Sequence, residues 1–393
     1  EWIADTSRFA YDALTCNRLG TPSVKKGKIT ADTGWKDALE TIRTHAATPK
    51  AAMLVGPLMA ESDLAAAASL MQVLGSPTIA ALPDHLPANL PASATPNLVE
   101  LEKAKAILLI GTNPREEAPL LNLRLRKASL KNKAQIFNLG TPADLTYPAE
   151  QLGNAPATLT KLPKPTQDAL KGEGSHILIG YGALTRKDAP AMLEAAQALA
   201  KKTGAKLSIL HPTTGYLSAL HLGIHTAESS KILAQAQKGI LTHLFIYGDP
   251  TSLTSAMLAK VAPTTQIIYL GTHKTPLATA ATICLPTAAY TEKSATYRNV
   301  EGTLQTTQQA TLPPHNARED KDIFAKLAEI LTSAPLPAFT PTPQAAPKKS
   351  ATEVNTKAPL TPYLTAPLYL ANPFLQQSPT MHKIVQDTEG QGA

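Results

Sequence analysis

Sulfur is scarce in this chain: its 393 residues hold two cysteines, Cys16 and Cys284, far apart in sequence. Structural zinc and iron–sulfur sites take about four nitrogen or sulfur ligands, so these two cannot build one alone. Cys284 lies in the apolar run Ala281-Thr282-Ile283-Cys284-Leu285, which predicts a buried free thiol rather than half of a disulfide. Aromatic residues are only 5% of the chain. No stacking platform for nucleic acid therefore accompanies the densest basic cluster, Arg124, Arg126, Lys127, Lys131 and Lys133. No apolar run approaches the roughly 18 residues of a membrane span. The longest, such as Ala106-Ile107-Leu108-Leu109-Ile110, are strand-sized. Also missing are an initiator Met, a signal-peptide pattern, a G-x-G-x-x-G or Walker fingerprint and a G-x-S-x-G elbow. The first two absences lead us to expect a longer polypeptide or a segment removed upstream.

The formal charge of +7 points to anionic partners. Without aromatics to stack bases, the basic helix face is expected to be solvated or to dock on protein, not on nucleic acid.

What is present reads as layered α/β structure. Short, continuous apolar runs predict strands at 52–55, 106–110, 135–139, 177–181, 243–247, 266–270 and 281–285. They do not alternate, as expected when both faces of a parallel sheet are covered. Helices are predicted from Ser62 to Gly75, from Asp188 with Pro190 in its first turn to Gly204, and from about Arg318 through Leu331. Prolines cluster at 76–96, 156–165 and 335–367. We therefore expect a first α/β lobe at 1–155, a Pro-rich linker at 156–172, a second lobe at 173–334 and an extended tail at 335–393. Within that tail, 363–374 is expected to dock on a surface. Ile110-Gly111-Thr112-Asn113-Pro114 is echoed by Tyr247-Gly248-Asp249-Pro250, as two lobes built on one plan would produce.

Three motifs carry possible chemistry. Gly111-Thr112-Asn113-Pro114-Arg115 follows a strand and precedes a helix, a geometry that suits a pyrophosphate. An ordinary strand-to-helix turn capped by Asn113 is the alternative, and on local sequence the favoured one. His221 and His225 have i, i+4 spacing, but Gly223 between them weakens the helix, and no third ligand is near in sequence. Glu292 and Glu301 flank a polar stretch that could hold an acid–base pair. A loop fixed by hydrogen bonds accounts for it with fewer assumptions.

Longer segments resemble a known family. Glu1-Trp2-Ile3-Ala4-Asp5-Thr6-Ser7-Arg8-Phe9-Ala10-Tyr11-Asp12 looks like the junction beyond the cluster-bearing modules of the large iron–sulfur subunit of respiratory complex I (NADH:ubiquinone oxidoreductase), mitochondrial type. Leu109-Ile110-Gly111-Thr112-Asn113-Pro114-Arg115-Glu116-Glu117-Ala118-Pro119 matches a segment of its C-terminal, molybdopterin-oxidoreductase-like half. Asp144-Leu145-Thr146-Tyr147, Leu152-Gly153, Pro286–Gly302, Ala317-Arg318-Glu319-Asp320 and Ser378-Pro379-Thr380-Met381 follow in order.

The resemblance implies two Rossmann-like doubly wound lobes with mostly parallel sheets and an extended Pro-rich tail. In the related enzymes the loop equivalent to Gly111–Arg115 helps hold a pterin dinucleotide, and a Cys, selenocysteine or Ser ligates the metal. Here no ligand position can be matched, so the loop is expected to be a relic and the chain to hold no cofactor or metal. Iron–sulfur clusters are expected in a partner polypeptide carrying the N-terminal half, or in a part of the protein outside this chain. The expected role is a non-catalytic structural and docking domain of the peripheral arm, among other complex I subunits. The expected location is the matrix side of the mitochondrial inner membrane, with the cytoplasmic side of a bacterial plasma membrane as the alternative. An active molybdopterin- or nucleotide-dependent oxidoreductase is the competing function. Arg115 is expected to pair with Glu117 or Glu292.

Overall fold

The computed structural model describes residues 3–27, 29–87, 90–341, 353–364 and 366–390. Glu1, Trp2 and the stretch 342–352 of the expected tail lie outside them. In chain order the strands are β1 (Ser23–Lys26), β2 (Ile29–Asp32), β3 (Ala51–Val55), β4 (Ile79–Ala80), β5 (Ala106–Ile110), β6 (Gln135–Leu139) and β7 (Glu150–Gln151). They continue with β8 (Ser175–Gly180), β9 (Lys206–Leu210), β10 (His243–Tyr247), β11 (Gln266–Gly271), β12 (Ile283–Pro286), β13 (Thr296–Arg298) and β14 (Leu304–Thr306).

Two sheets organise the chain. One runs β2-β1-β12-β11-β10-β3-β4, and the other β7-β6-β5-β8-β9. The second is parallel throughout; the first is parallel from β12 to β4, with the β1–β2 hairpin added antiparallel at its edge. The predicted runs are buried along their whole length in β3, β5, β8, β10 and β11, which is why they read as continuous apolar segments.

The expected division at 155 and 173 does not follow the sheets. β5, from the expected first lobe, pairs with β8 from the expected second, Ala106 opposite Ser175. β10 then returns to β3, His243 opposite Ala51. The five-stranded lobe is thus inserted between β4 and β10 of the seven-stranded one. Residues 156–172 are no spacer between lobes: they form the crossover from β7 to β8, and Leu159, Leu162 and Leu170 are buried in it. Its prolines sit at the starts of two short helices, Ala157–Thr160 and Lys164–Ala169, where a missing N–H costs nothing.

The three predicted helices form at Glu61–Val73, Ala189–Thr203 and Asp320–Thr332. The first is covered nearly all round, consistent with its alanine-rich sequence. Asp320–Thr332 packs along it and pushes Phe324, fully buried, edge-on against Tyr247 of β10 at 5.1 Å. The tail then crosses both lobes. Phe374 meets His273 and Tyr290 edge-on at 5.6 and 5.4 Å, so the docking surface expected for 363–374 belongs to this chain. The tail ends in a helix rather than an extended strand, Pro379–Gly390, with Met381 fully buried beside Ala10 and Leu375.

Phe324 ties a late helix to β10, an interior strand of the larger sheet. Phe324→Ala should lower unfolding stability by about 3–5 kcal/mol, seen as a fall in the urea midpoint at unchanged slope.

Candidate functional site

Each parallel sheet has one place where successive strands depart to opposite sides, and such a switch point is where open α/β sheets leave a crevice. In the five-stranded sheet it lies between β5 and β8, and in the larger sheet between β3 and β10. The paired sequence echo falls on these two places. Gly111 leaves β5 at φ +56° and Gly248 leaves β10 at φ +71°, both in the left-handed region. At Gly111 the conformation and the space both demand glycine, because a Cβ there would lie 2.6 Å from the Ala183 nitrogen.

Beyond Gly111 the chain turns into a four-residue helix, Pro114–Glu117, and the Asn113 side chain accepts the Arg115 N–H at 3.2 Å. Glu117 then folds back over the loop. Its carboxylate accepts the Thr112 hydroxyl at 2.5 Å and the Asn113 N–H at 3.1 Å. Burial pushes the Glu117 carboxyl above its ordinary value, against the pull of these two donors. The donors that would meet a phosphate are therefore engaged by an anion of the chain itself.

Arg115 does not pair with Glu117 or Glu292. It donates to the Asp144 carboxylate at 2.5 Å and the Asp144 carbonyl at 2.9 Å, in solvent. Glu117 faces inward to its own loop, and Glu292 is buried against Arg18, so neither is within reach of an exposed guanidinium.

The tail fills the mouth of the crevice. The Thr361 carbonyl lies 2.4 Å from where a Cβ on Gly182 would stand, a contact only glycine permits. Leu360 is fully buried, and Tyr363 meets Tyr181 edge-on at 5.5 Å. Thr361 also walls a remaining pocket of about 330 Å³ shared with Gly111, Asn113 and Asp144.

The other polar motif, 290–302, is a set of buried ion pairs. Arg18 meets Glu292 through two hydrogen bonds, 2.5 and 2.6 Å. Arg298 does the same with Glu61, at 2.7 and 2.5 Å. Lys293 reaches Asp63 at 2.6 Å and also pairs with Asp320. Glu301 accepts the Leu98 N–H at 2.8 Å, at the start of the helix Leu98–Glu102. Glu292 and Glu301 serve separate partners here, as a fixed loop requires. Burial, then the neighbouring Asp320 carboxylate, raises Asp63 to about 6. Burial alone would lower Lys293, but Asp320 and Asp63 outweigh it and hold the ammonium above its ordinary value.

The remaining candidates are placed apart. The helix carrying His221 ends at Leu222, and Gly223 turns away at φ +65°. His225, beyond it, accepts the Ala81 N–H at 3.2 Å. Among the described residues no three His, Cys, Asp or Glu side chains gather as a metal site would need. Both cysteines are free. Cys284 is buried in β12, donates to the Ala278 carbonyl at 3.1 Å, and is pushed up to about 11 by burial. Arg186, which the sequence reading passed over, proves central to holding the tail. Its only signal was the nearby Asp188.

Two doubly wound lobes, one nested in the other, with a glycine turn at each switch point, describe a molybdopterin oxidoreductase-like domain. The model of the molybdopterin oxidoreductase family matches residues 18–330, and the chain belongs to that family. It is 34% identical over 372 residues to the NADH-ubiquinone oxidoreductase 75 kDa subunit of Reclinomonas americana, covering 84% of this chain and 52% of that protein. With the mitochondrial NADH-ubiquinone oxidoreductase 78 kDa subunit of Candida albicans the identity is 31% over 355 residues, covering 85% and 48%. The chain thus spans about half the length of the curated relatives it matches. The formyltransferase/hydrolase complex FhcABCD from Methylorubrum extorquens shares the fold: TM-score 0.56, 17% identity, 79% of this chain and 99% of that one.

The residues at the Gly111 crevice do not fit the family's anionic pterin dinucleotide. Glu117 holds the loop donors, the tail backbone lies over Gly182, and the Cys284 thiol is enclosed in the other lobe's sheet.

Asp63 sets a pH dependence. Its folded pKa, about 6, exceeds the ordinary 3.8. The stability it contributes is therefore full below about pH 4 and is lost as pH rises through 6. Asp63→Asn should abolish that loss. Relative to the parent, the variant should gain on the order of 1–3 kcal/mol between pH 4 and pH 7.5 in urea unfolding.

Proposed function

We propose that this chain is a non-catalytic structural and docking domain of the peripheral arm of NADH:ubiquinone oxidoreductase. In this reading it braces iron–sulfur clusters carried by another polypeptide, or by a part of the protein beyond these residues, and needs no cofactor of its own. Its neighbours are other subunits of the arm, on the matrix side of the mitochondrial inner membrane. The observation that carries the reading is the Glu117 carboxylate, hydrogen-bonded to Thr112 and Asn113 where a phosphate would otherwise be held. A bound pyrophosphate would have to displace a carboxylate and then sit beside it, and like charges in a partly buried site repel.

The similarity to the 75 and 78 kDa subunits supports the assembly, and the mitochondrial setting of the 78 kDa subunit supports the location. None of the described helices is long and apolar enough to cross a membrane, which suits a body attached through partners. The basic helix face adds a route to an acidic protein surface. Arg124 and Lys127 share the single Glu102, leaving cationic surplus on that face.

Native electrophoresis of gently solubilised membranes should place the protein in the band with NADH dehydrogenase activity, and the purified chain should carry no stoichiometric molybdenum, tungsten or iron. Recovery solely as a free monomer would remove the docking role. Stoichiometric molybdenum or tungsten would establish the competing oxidoreductase instead.

A further inference from the structure

We propose that residues 355–364 are a built-in peptide ligand of the five-stranded lobe, bound in the switch-point crevice between β5 and β8. The inference stands on the contacts of this chain alone and does not rest on the assembly proposed above.

Five observations carry it. The segment is recognised mainly through its backbone, as a bound peptide is. Arg186 donates to three of its carbonyls, Ala358 at 2.7 Å, Pro359 at 2.9 Å and Asn355 at 3.1 Å. Asp188, which holds Arg186 by two hydrogen bonds of 2.8 and 2.9 Å, accepts the Asn355 N–H at 2.6 Å. The Leu360 N–H donates to the Asn154 carbonyl at 2.8 Å, and the Leu360 carbonyl accepts the Thr141 hydroxyl at 3.3 Å. Each of these partners belongs to the five-stranded lobe or to the loops at the ends of its strands.

The shape of the crevice suits a peptide chain. Gly182 admits the Thr361 carbonyl where any side chain would strike it. Side-chain anchors sit on either side of that contact. Leu360 is fully buried, while Tyr363 packs on Tyr181, which is itself stacked on Tyr216 at 6.0 Å. The location is the place at which this class of sheet receives a ligand. Arg186 and Asp188 are also nearly enclosed, with side-chain exposures of 10% and 9%. Buried ion pairs of this kind hold geometry, because separating them leaves an uncompensated charge.

Amide hydrogen exchange on the intact chain tests the proposal. The Leu360 amide should exchange at least about 100-fold more slowly than in a free synthetic peptide of residues 353–366. Gly182→Val, whose side chain would strike both the Thr361 carbonyl and the Gly111 carbonyl behind it, should return Leu360 to near the peptide rate. Arg186→Ala should do so as well. Protection in β6, within the same lobe, and in β10 of the other lobe should stay unchanged in both. Where a crevice variant loses β10 protection through general unfolding, Tyr363→Ala makes the same comparison from the tail side. Exchange of Leu360 at the free-peptide rate in the parent chain would overturn the proposal. So would undiminished Leu360 protection in the folded variants. Because the purified chain is used by itself, either result leaves the peripheral-arm reading untouched.

Discussion

Lys293 holds this structure together. Its ammonium lies between two buried carboxylates, Asp63 at the start of the helix Glu61–Val73 and Asp320 at the start of Asp320–Thr332. Three pieces of chain distant in sequence therefore meet at one charge. Tyr247 of the interior strand β10, fully buried, lies against the same carboxylates. Removing one partner of a buried pair typically costs about 3–5 kcal/mol, because the remaining charge is stranded. With two acids to one base the cluster keeps an excess negative charge, and Asp63 absorbs the conflict by holding its proton more tightly. The flanking pairs, Arg18 with Glu292 and Arg298 with Glu61, extend the same device along the loop. This loop looks chemically rich in sequence because it is a structural clasp whose Glu292, Lys293 and Arg298 are all held in buried ion pairs.

The layered architecture was legible because buried parallel strands leave an unmistakable trace. β5, β6 and β10 fall at the residues their apolar runs predicted, and Gly75 and Gly204 end their helices as expected, at φ +64° and +76°. Lobe boundaries were not legible. Strand pairing between β5 and β8 spans some seventy residues of sequence, and nothing local distinguishes a neighbour in the same sheet from one in the next. Proline misled for a related reason. At 156–172 it marks helix starts inside a packed crossover, and composition alone cannot separate that from a spacer. The partner of Arg115 escaped for a third reason, since an exposed guanidinium selects whichever carboxylate the fold brings to it.

The repeated strand–Gly–polar–Pro pattern proves to be the same construction used twice. Behind Gly111 stands Glu117, and beside Gly248 stands Asp249, whose carboxylate accepts the Tyr269 hydroxyl at 2.8 Å and the Thr275 hydroxyl at 2.7 Å. Burial pushes both carboxyls upward. Each switch point therefore presents an acid surrounded by donors that it already uses. At the first crevice the Thr112 hydroxyl and the Asn113 N–H are committed to Glu117, and at the second the Tyr269 and Thr275 hydroxyls are committed to Asp249.

That symmetry bears on how such a crevice can be filled without a ligand. A crevice at a switch point is a cost to stability if left unfilled, because buried polar groups without partners are penalised. A bound cofactor would satisfy them only when supplied. Glu117 and the backbone of 355–364 satisfy them from within the chain, at fixed concentration and without regard to what else is present. The same tail continues to Asp12, whose carboxylate accepts the Thr380 N–H at 2.9 Å and the Ser378 hydroxyl. It thereby joins the five-stranded lobe to the N-terminal segment past the loops that follow β11 and β12. The tail thus supplies from one continuous segment both the contacts that fill the crevice and those that hold the N-terminal segment.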